Sequence, residues 1–305
     1  MNSPIGHLTD ALLVALSGLS PTVYEDLPSD SRARLERLLN GTRPAHRYAR
    51  ALLAGATAWL YRLKPGLGTS LLERFDWEES TEARELWLGY LLSPGLGPEL
   101  WLALRPLFLG VISHSAELGD AERQFYGLFA FVLLAADIPI DPVAARGALQ
   151  RATSAGRSYV VEYWWQHAES ATDYGATLYR ERLEYLLTRI WPLEKELRQS
   201  GASIGLARLA MACGTAFPDA VKTIAPLLTK ADELNDVLWT LKDKDHPERF
   251  PDATLTLLDA IMGDQIERWC WPDLRAILTR LTTVQPSLSA DPRLARLDAL
   301  LRTFE

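Results

Sequence analysis

Histidines that lie near carboxylates are the residues whose types and spacing come closest to a catalytic or metal-binding pattern. The chain has five histidines, His7, His46, His114, His167 and His246. No two stand four residues apart, so the His-Glu-x-x-His arrangement of a helical zinc site is missing. A site assembled in space would draw on His114 with Glu117, or on His167 with Glu169 and Asp173. We expect hydrogen-bonded imidazoles at helix ends instead, and predict no catalytic, cofactor-binding or metal-binding residue.

A second pattern with chemical potential is a basic stretch near the start of the chain. Its arginines are Arg32, Arg34, Arg37, Arg43, Arg47 and Arg50. Such a run is compatible with a groove for nucleic acid or for an acidic partner. The net charge of −7 argues against nucleic acid as the main ligand, because binding to a phosphate backbone needs a concentrated cationic face. We therefore favour a solvated surface.

Aromatic residues are abundant, with 10 Trp, 10 Tyr and 8 Phe, and many fall between positions 159 and 191. Core packing accounts for most of them. Trp164 and Trp165 are adjacent, so on a helix they point about 100° apart and do not both face one core. Because aromatic and arginine side chains are enriched at protein interfaces, we predict a partner-binding surface here. Its candidate residues are Tyr163, Trp164, Trp165, Arg180, Arg182 and Trp191.

Apolar residues recur at spacings of three and four from end to end, which is typical of helices, and alternating strand patterns are absent. The spacing predicts one helix over Ser31–Leu39, capped by Ser29 or Ser31, and another that follows Pro44 and ends at Pro65. Short connections favour antiparallel neighbours. The predicted fold is all-α, with stacked antiparallel helical hairpins that form a HEAT-like α-solenoid.

One short segment occurs twice in the sequence, which supports an internal repeat. The segment Phe217-Pro218-Asp219-Ala220 recurs 33 residues later as Phe250-Pro251-Asp252-Ala253. Proline is tolerated in the first turn of a helix, and the following aspartate suits the positive end of the helix dipole. A period of this size belongs to helical-hairpin solenoids. We predict that each copy begins a helix.

The 305 residues suit either two domains or one array of repeats. Without a long Ser-, Gly- or Pro-rich linker, we predict one continuous domain over 1–305, with a seam near 139–142. Two widely spaced cysteines, Cys213 and Cys270, indicate buried thiols of a reducing compartment. No signal peptide or membrane span is recognisable, so we expect a cytoplasmic protein.

The segment from about Trp59 to Glu305 resembles the helical C-terminal region of large bacterial proteins that carry a sirtuin-like domain and are associated with anti-phage defence. The matching stretches run in collinear order. They include Phe75-Asp76-Trp77, Trp87-Leu88-Gly89-Tyr90, Tyr179-Arg180-Glu181-Arg182, Ile190-Trp191-Pro192, Leu257-Leu258-Asp259-Ala260-Ile261 with Asp264-Gln265, and Asp291-Pro292-Arg293. The resemblance implies that NAD consumption belongs to a separate domain, and that this chain senses, scaffolds or oligomerises.

We therefore expect a non-enzymatic helical-repeat module for protein–protein interaction, without a cofactor. Its partner would be another domain of the same defence protein or a phage component. Two alternatives stay open: an enzyme with a site built from His114, Glu117, His167 and Glu169, and a nucleic-acid-binding solenoid that uses Arg32 to Arg50.

Overall fold

The computed structural model of the chain describes residues 4–19, 24–170, 174–231, 233–264 and 267–302. Within these ranges the regular structure is helical and no β-strand occurs; an isolated bridge joins Ala231 and Met262. The prediction of an all-α fold is confirmed for this part of the chain. Two compact units are distinguished, the first comprising 1–128 and 135–139, the second 129–134 and 140–305. The prediction of a single continuous domain stays a prediction.

The first unit contains seven complete α-helices in its described residues. They are α1 (Pro4–Leu19), α2 (Ser29–Asn40), α3 (Pro44–Ala54), α4 (Thr57–Leu63), α5 (Pro65–Leu72), α6 (Ala83–Leu91) and α7 (Pro98–Val111). The next helix, α8 (Glu122–Leu134), contributes residues to both units. 3₁₀ segments at Tyr24–Asp26, Glu73–Phe75 and Ile112–Ala121 complete the described helical structure of this unit.

Close helix packing and aromatic rings build the core of the first unit. Helix α3 packs against α1, α2 and α6. Gly89 of α6 lies so near α3 that a Cβ atom there would stand 1.7 Å from the carbonyl oxygen of Ala51. Trp87 contacts the Phe75 ring edge-on at 5.1 Å, and its indole N–H donates to the Phe75 carbonyl oxygen at 3.0 Å. Both rings are fully buried, so this contact fixes α6 on the preceding 3₁₀ turn.

The expected boundaries of the first helices are corrected in two places. Helix α2 starts at Ser29 and has no side-chain cap, so the predicted caps Ser29 and Ser31 lie inside the helix. The single helix expected after Pro44 is two helices, because the backbone turns at Gly55 and Ala56. Pro65 begins α5, where its missing N–H costs no hydrogen bond.

The second unit continues with ten further α-helices in its described residues. They are α9 (Pro142–Arg151), α10 (Ser154–Glu169), α11 (Tyr174–Leu178), α12 (Ser200–Ala212), α13 (Phe217–Ile224), α14 (Asn235–Asp243), α15 (His246–Arg249), α16 (Pro251–Ile261), α17 (Trp271–Val284) and α18 (Pro292–Arg302). Helix α11 runs on into π-helical turns at Tyr179–Leu183 and Leu186–Ile190.

Two series of helices in the second unit pack on their next neighbours. In one series α10 contacts α12, α12 contacts α14 and α14 contacts α17. In the other, α13 contacts α16 and α16 contacts α18. The series are joined by contacts between α12 and α13, α16 and α17, and α17 and α18. Side chains on one flank of the first series are therefore brought together from distant parts of the sequence.

Each copy of the Phe-Pro-Asp-Ala motif begins a helix, as predicted, and the structure shows that the two helices are neighbours. Pro218 lies in the first turn of α13 and Pro251 begins α16, each with its aspartate in the first turn. The rings of Phe217 and Phe250 are 5.8 Å apart. The motif thus marks equivalent positions in two adjacent helices.

Several helices have carbonyl groups at their C-terminal ends that accept hydrogen bonds from an arginine elsewhere in the same unit. We call Arg50, Arg157, Arg182, Arg280 and Arg296 the capping arginines. Arg157, for example, donates to the carbonyl oxygens of Leu149 and Ala152 at the end of α9. The others donate to carbonyl groups at the ends of α2, α8, α14 and α16. They satisfy acceptors that a helix cannot satisfy by itself.

Candidate functional site

A groove in the second unit brings two tryptophans and several charged groups together. We call it the tryptophan groove. Helix α10 supplies Trp165 and Glu169, α12 supplies Arg208, and α14 with the residue after it supplies Trp239, Asp243 and Lys244. The groove has a volume of about 120 Å³, which suits the end of a side chain better than a cofactor.

Helical geometry explains why both tryptophans stand outside the core. In α10 the buried face includes Val161, Trp164 and Ala168. Trp165 follows Trp164 in the sequence and therefore points about 100° away from it around the helix. In α14 the buried residues are Val237, Leu238 and Leu241, so Trp239 projects from another side and is 60% exposed. Because α10, α12 and α14 pack in series, the two indoles line the same depression.

Charged groups in the tryptophan groove are partly paired. The guanidinium carbon of Arg208 lies 3.6 Å from the centroid of the Trp165 ring, and its Nη1 is 3.2 Å from Asp236 Oδ2. Lys244 Nζ lies 2.9 Å from Glu169 Oε1. Since Arg208 and Lys244 each have a carboxylate partner, they hold the walls of the groove together.

A third tryptophan extends this surface along α14. Trp269 is 64% exposed, and its indole N–H donates to Asn235 Oδ1 at 2.8 Å. Asn235 stands four residues before Trp239 on α14, so Asn235 and Trp239 share one face of that helix. The hydrogen bond to Asn235 therefore places Trp269 beside the face that carries Trp239. Exposed tryptophans on one face are typical of a contact surface rather than of a reaction centre.

The predicted aromatic site residues divide between the core and the groove. Trp164 is fully buried, its indole N–H donates to the Ala130 carbonyl oxygen at 3.2 Å, and its ring contacts the buried Trp191. Tyr163 is half-buried and stacks on His167; burial raises the pKa of Tyr163. Trp165 alone of the aromatic candidates lines the tryptophan groove. Trp164 and Trp191 therefore have structural roles.

The two arginines of the predicted surface lie in the π-helical segment. Arg180 is exposed. Arg182 is a capping arginine, since its Nε donates to the carbonyl oxygen of Leu133 at 2.9 Å. The structure thus places neither residue among those that line the groove.

His114 and Glu117, one of the predicted pairs, do come together, and a third group joins them. His114 Nδ1 lies 3.1 Å from Glu117 Oε1, and its Nε2 lies 3.0 Å from Glu78 Oε1. Hydrogen bonding to Glu117 and then to Glu78 raises the pKa of His114. Trp77 stacks on the imidazole at a centroid distance of 5.4 Å. Both ring nitrogens are engaged, so this cluster ties a loop to a 3₁₀ segment.

The second predicted set of ligands is not assembled among the described residues. His167 Nε2 is 3.2 Å from the Tyr174 hydroxyl, and Glu169 pairs with Lys244. Asp173 lies outside the described residues. Across the part of the chain that is described, no group of three His, Cys, Asp or Glu side chains is arranged to hold a metal ion.

Arginines of the basic stretch have partners within the first unit. Arg50 is 2% exposed and forms a bidentate ion pair with Glu82 at 2.7 and 2.6 Å. Arg47 contacts Glu85 at 3.4 Å. This pairing lowers the positive charge that the stretch presents to a phosphate backbone.

Both cysteines are free and buried, as expected. Burial raises the pKa of Cys213 to about 12, and burial also raises the pKa of Cys270. Neither thiol is therefore activated as a nucleophile. His246 is another buried group: its Nε2 lies 3.1 Å from the Met211 carbonyl oxygen, its Nδ1 has no partner, and burial lowers its pKa.

A second groove, in the first unit, has a different character. It has a volume of about 520 Å³ and no charged residue in its lining. Val14 and Leu92, which line it, are 71% and 73% exposed. This surface offers apolar contact and little orientation by polar groups.

The described residues thus define an all-helical protein with a surface groove formed by aromatic and charged side chains. No helix among them combines the length and the apolar composition needed to cross a bilayer. No family model matches the sequence, and no solved structure matches it.

The chain is similar to a protein of Sinorhizobium fredii (strain NBRC 101917 / NGR234) described as "Uncharacterized protein y4cA". The two are 24% identical over 314 residues, which cover 98% of this chain and 26% of that protein. The chain thus spans about a quarter of the length of the relative. That description names no activity, so the resemblance to the sirtuin-associated region stays a prediction.

Proposed function

We propose that this chain is a non-enzymatic helical-repeat module that binds a protein partner through the tryptophan groove and the adjoining Trp269. The observation that carries the proposal is that Trp165 and Trp239 line one groove, while Trp269, in the 3₁₀ turn Arg268–Cys270, is hydrogen-bonded to the helix that carries Trp239. Tryptophan gives large contact area at low entropic cost and dominates many protein interfaces.

We infer that the second unit is built as a HEAT-like solenoid. Two series of helices, each packed on its next neighbour, support this inference, as do the paired Phe-Pro-Asp-Ala starts of α13 and α16. In such an array each hairpin buries its apolar stripe against the adjacent hairpins, and one flank is left for recognition.

The biological setting we propose is a cytoplasmic, bacterial anti-phage defence protein. Collinear sequence resemblance supports it, and the alignment with a quarter of a longer relative fits one region of a protein with several domains. The partner would then be another domain of the same protein or a phage component.

The test is site-specific photo-crosslinking in bacterial cells with and without phage infection. A photoreactive phenylalanine in place of Thr240, which lines the groove beside Trp239, should form a discrete covalent adduct with one protein. The matched control carries the same group at position 48, where Tyr48 is 55% exposed in the first unit. Adducts of equal pattern from both positions, or none from position 240, would show that the groove is not a binding surface.

A further inference from the structure

The tryptophan groove contains an internal example of how it holds a guanidinium group. Arg208 stacks on Trp165 at 3.6 Å and binds the carboxylate of Asp236 at 3.2 Å. An indole face and a carboxylate thus act on one arginine. Arginine suits this arrangement because its guanidinium is planar, always charged and weakly hydrated, so it stacks and forms hydrogen bonds at the same time.

The same two groups occur again on α14. Trp239 is followed four residues later by Asp243, which places the indole and the carboxylate on one helix face. Both line the groove. Within the described ranges, no cationic side chain of this chain lies over the Trp239 ring or pairs with Asp243.

The charges of the groove also favour a cationic ligand. Its own cations, Arg208 and Lys244, are held by Asp236 and Glu169. Asp243 is exposed and adds a negative charge that these pairs do not balance. A positively charged group that enters the groove therefore finds a carboxylate beside an exposed aromatic face.

We propose that Trp239 and Asp243 bind an arginine side chain of the protein partner, with the guanidinium stacked on the indole and hydrogen-bonded to the carboxylate. This assignment rests on the proposed function and specifies the chemistry of the partner. Lysine should bind less well, because an ammonium group is more strongly hydrated and does not stack. A groove of about 120 Å³ accommodates the head of one such side chain.

The experiment is a titration followed by two-dimensional NMR of the indole N–H signals. The signal of Trp239 is the one that disappears in W239A, and that of Trp269 is assigned in the same way from W269A. The probe is the capped peptide Gly-Arg-Gly-Arg-Gly. Two matched peptides carry lysine or citrulline instead of arginine, and citrulline keeps the shape of arginine without its charge.

We expect the arginine peptide to shift the Trp239 signal saturably, the lysine peptide to shift it less, and the citrulline peptide to leave it in place. Asp243→Asn should weaken binding about two- to fivefold. Asp137→Asn is the matched control, because it removes the same charge from an exposed position in the first unit. It should leave the affinity unchanged.

An equal response to citrulline, or equal losses in D243N and D137N, would overturn the arginine assignment. So would the absence of any shift at Trp239. Each of these outcomes leaves the protein-binding proposal standing, provided that crosslinking from position 240 still captures a discrete partner. Failure of the crosslinking experiment alone would remove the proposed function.

Discussion

Arg50 offers the sharpest test of how the first unit is held together, and Arg50→Met is the informative change. Its side chain is 3% exposed, and that of Glu82 is 15% exposed. Arg50 donates to both carboxylate oxygens of Glu82 and to the carbonyl oxygens of Leu39 and Gly41. Methionine keeps much of the apolar stem and removes all four hydrogen bonds.

The expected loss is about 3–5 kcal/mol of unfolding free energy, because the change leaves a mostly buried carboxylate without its partner. Hydrogen bonding to Arg50 lowers the pKa of Glu82 from 4.5. This contribution is therefore present above the unfolded-state pKa and is lost as the pH falls through the lower folded-state pKa. The difference between wild type and R50M should shrink in acid.

Urea unfolding followed by far-ultraviolet circular dichroism measures the loss, and hydrogen exchange at α2 and α3 locates it. Arg34→Met is the matched control, because it removes an exposed ion pair. Arg34 Nη2 lies 3.5 Å from Asp30 Oδ2, and the two side chains are 67% and 87% exposed. It should cost less than about 0.5 kcal/mol. Adding Glu82→Gln to R50M should restore part of the stability. A loss below about 1 kcal/mol in R50M would refute the reasoning.

Two further predictions concern packing and pH. Gly89→Ala should lower the unfolding free energy by about 1–3 kcal/mol, because the new Cβ would overlap the Ala51 carbonyl oxygen. Gly66→Ala is the control and should be nearly neutral, since the space around Gly66 is open. Thermal unfolding of both variants measures the difference. His246 has a lowered pKa, so the unfolded chain takes up its proton first and stability should fall as the pH drops below about 6.5. His246→Gln keeps a donor for the Met211 carbonyl oxygen and should flatten that dependence, and an unchanged slope would exclude His246 as its source.

The helical class was predictable because apolar spacing reports burial directly. The Phe-Pro-Asp-Ala segments were predictable as helix starts for a local reason, since proline and aspartate act within the first turn. The break at Gly55 was not, because glycine at that position also fits a continuous helix. What marks the position is a tertiary contact: a Cβ atom at Gly55 would stand 3.2 Å from the carbonyl oxygen of Gly89 in α6.

The candidate site was only partly predictable. Trp165 was identified because adjacent helical residues point in different directions. Trp239 was missed, although it lies off the stripe formed by Val237, Leu238 and Leu241, and that offset was the available signal. Arg208 carries no such local mark, since its stacking on Trp165 depends on how α10 meets α12. The basic stretch shows the same limit, because Arg50 finds its carboxylate 32 residues away.

The capping arginines bear on how the length of this protein can change. Arg296 of α18 reaches back to carbonyl groups at the end of α16, and Arg280 of α17 reaches back to those at the end of α14. Loss of α18 would thus expose acceptors in α16, a helix that was not itself deleted. Stable variants of different length should therefore gain or lose a helix together with the arginine, on a later helix, that caps its C-terminal end. The arginine and the carbonyl groups that it caps would thus change as one unit.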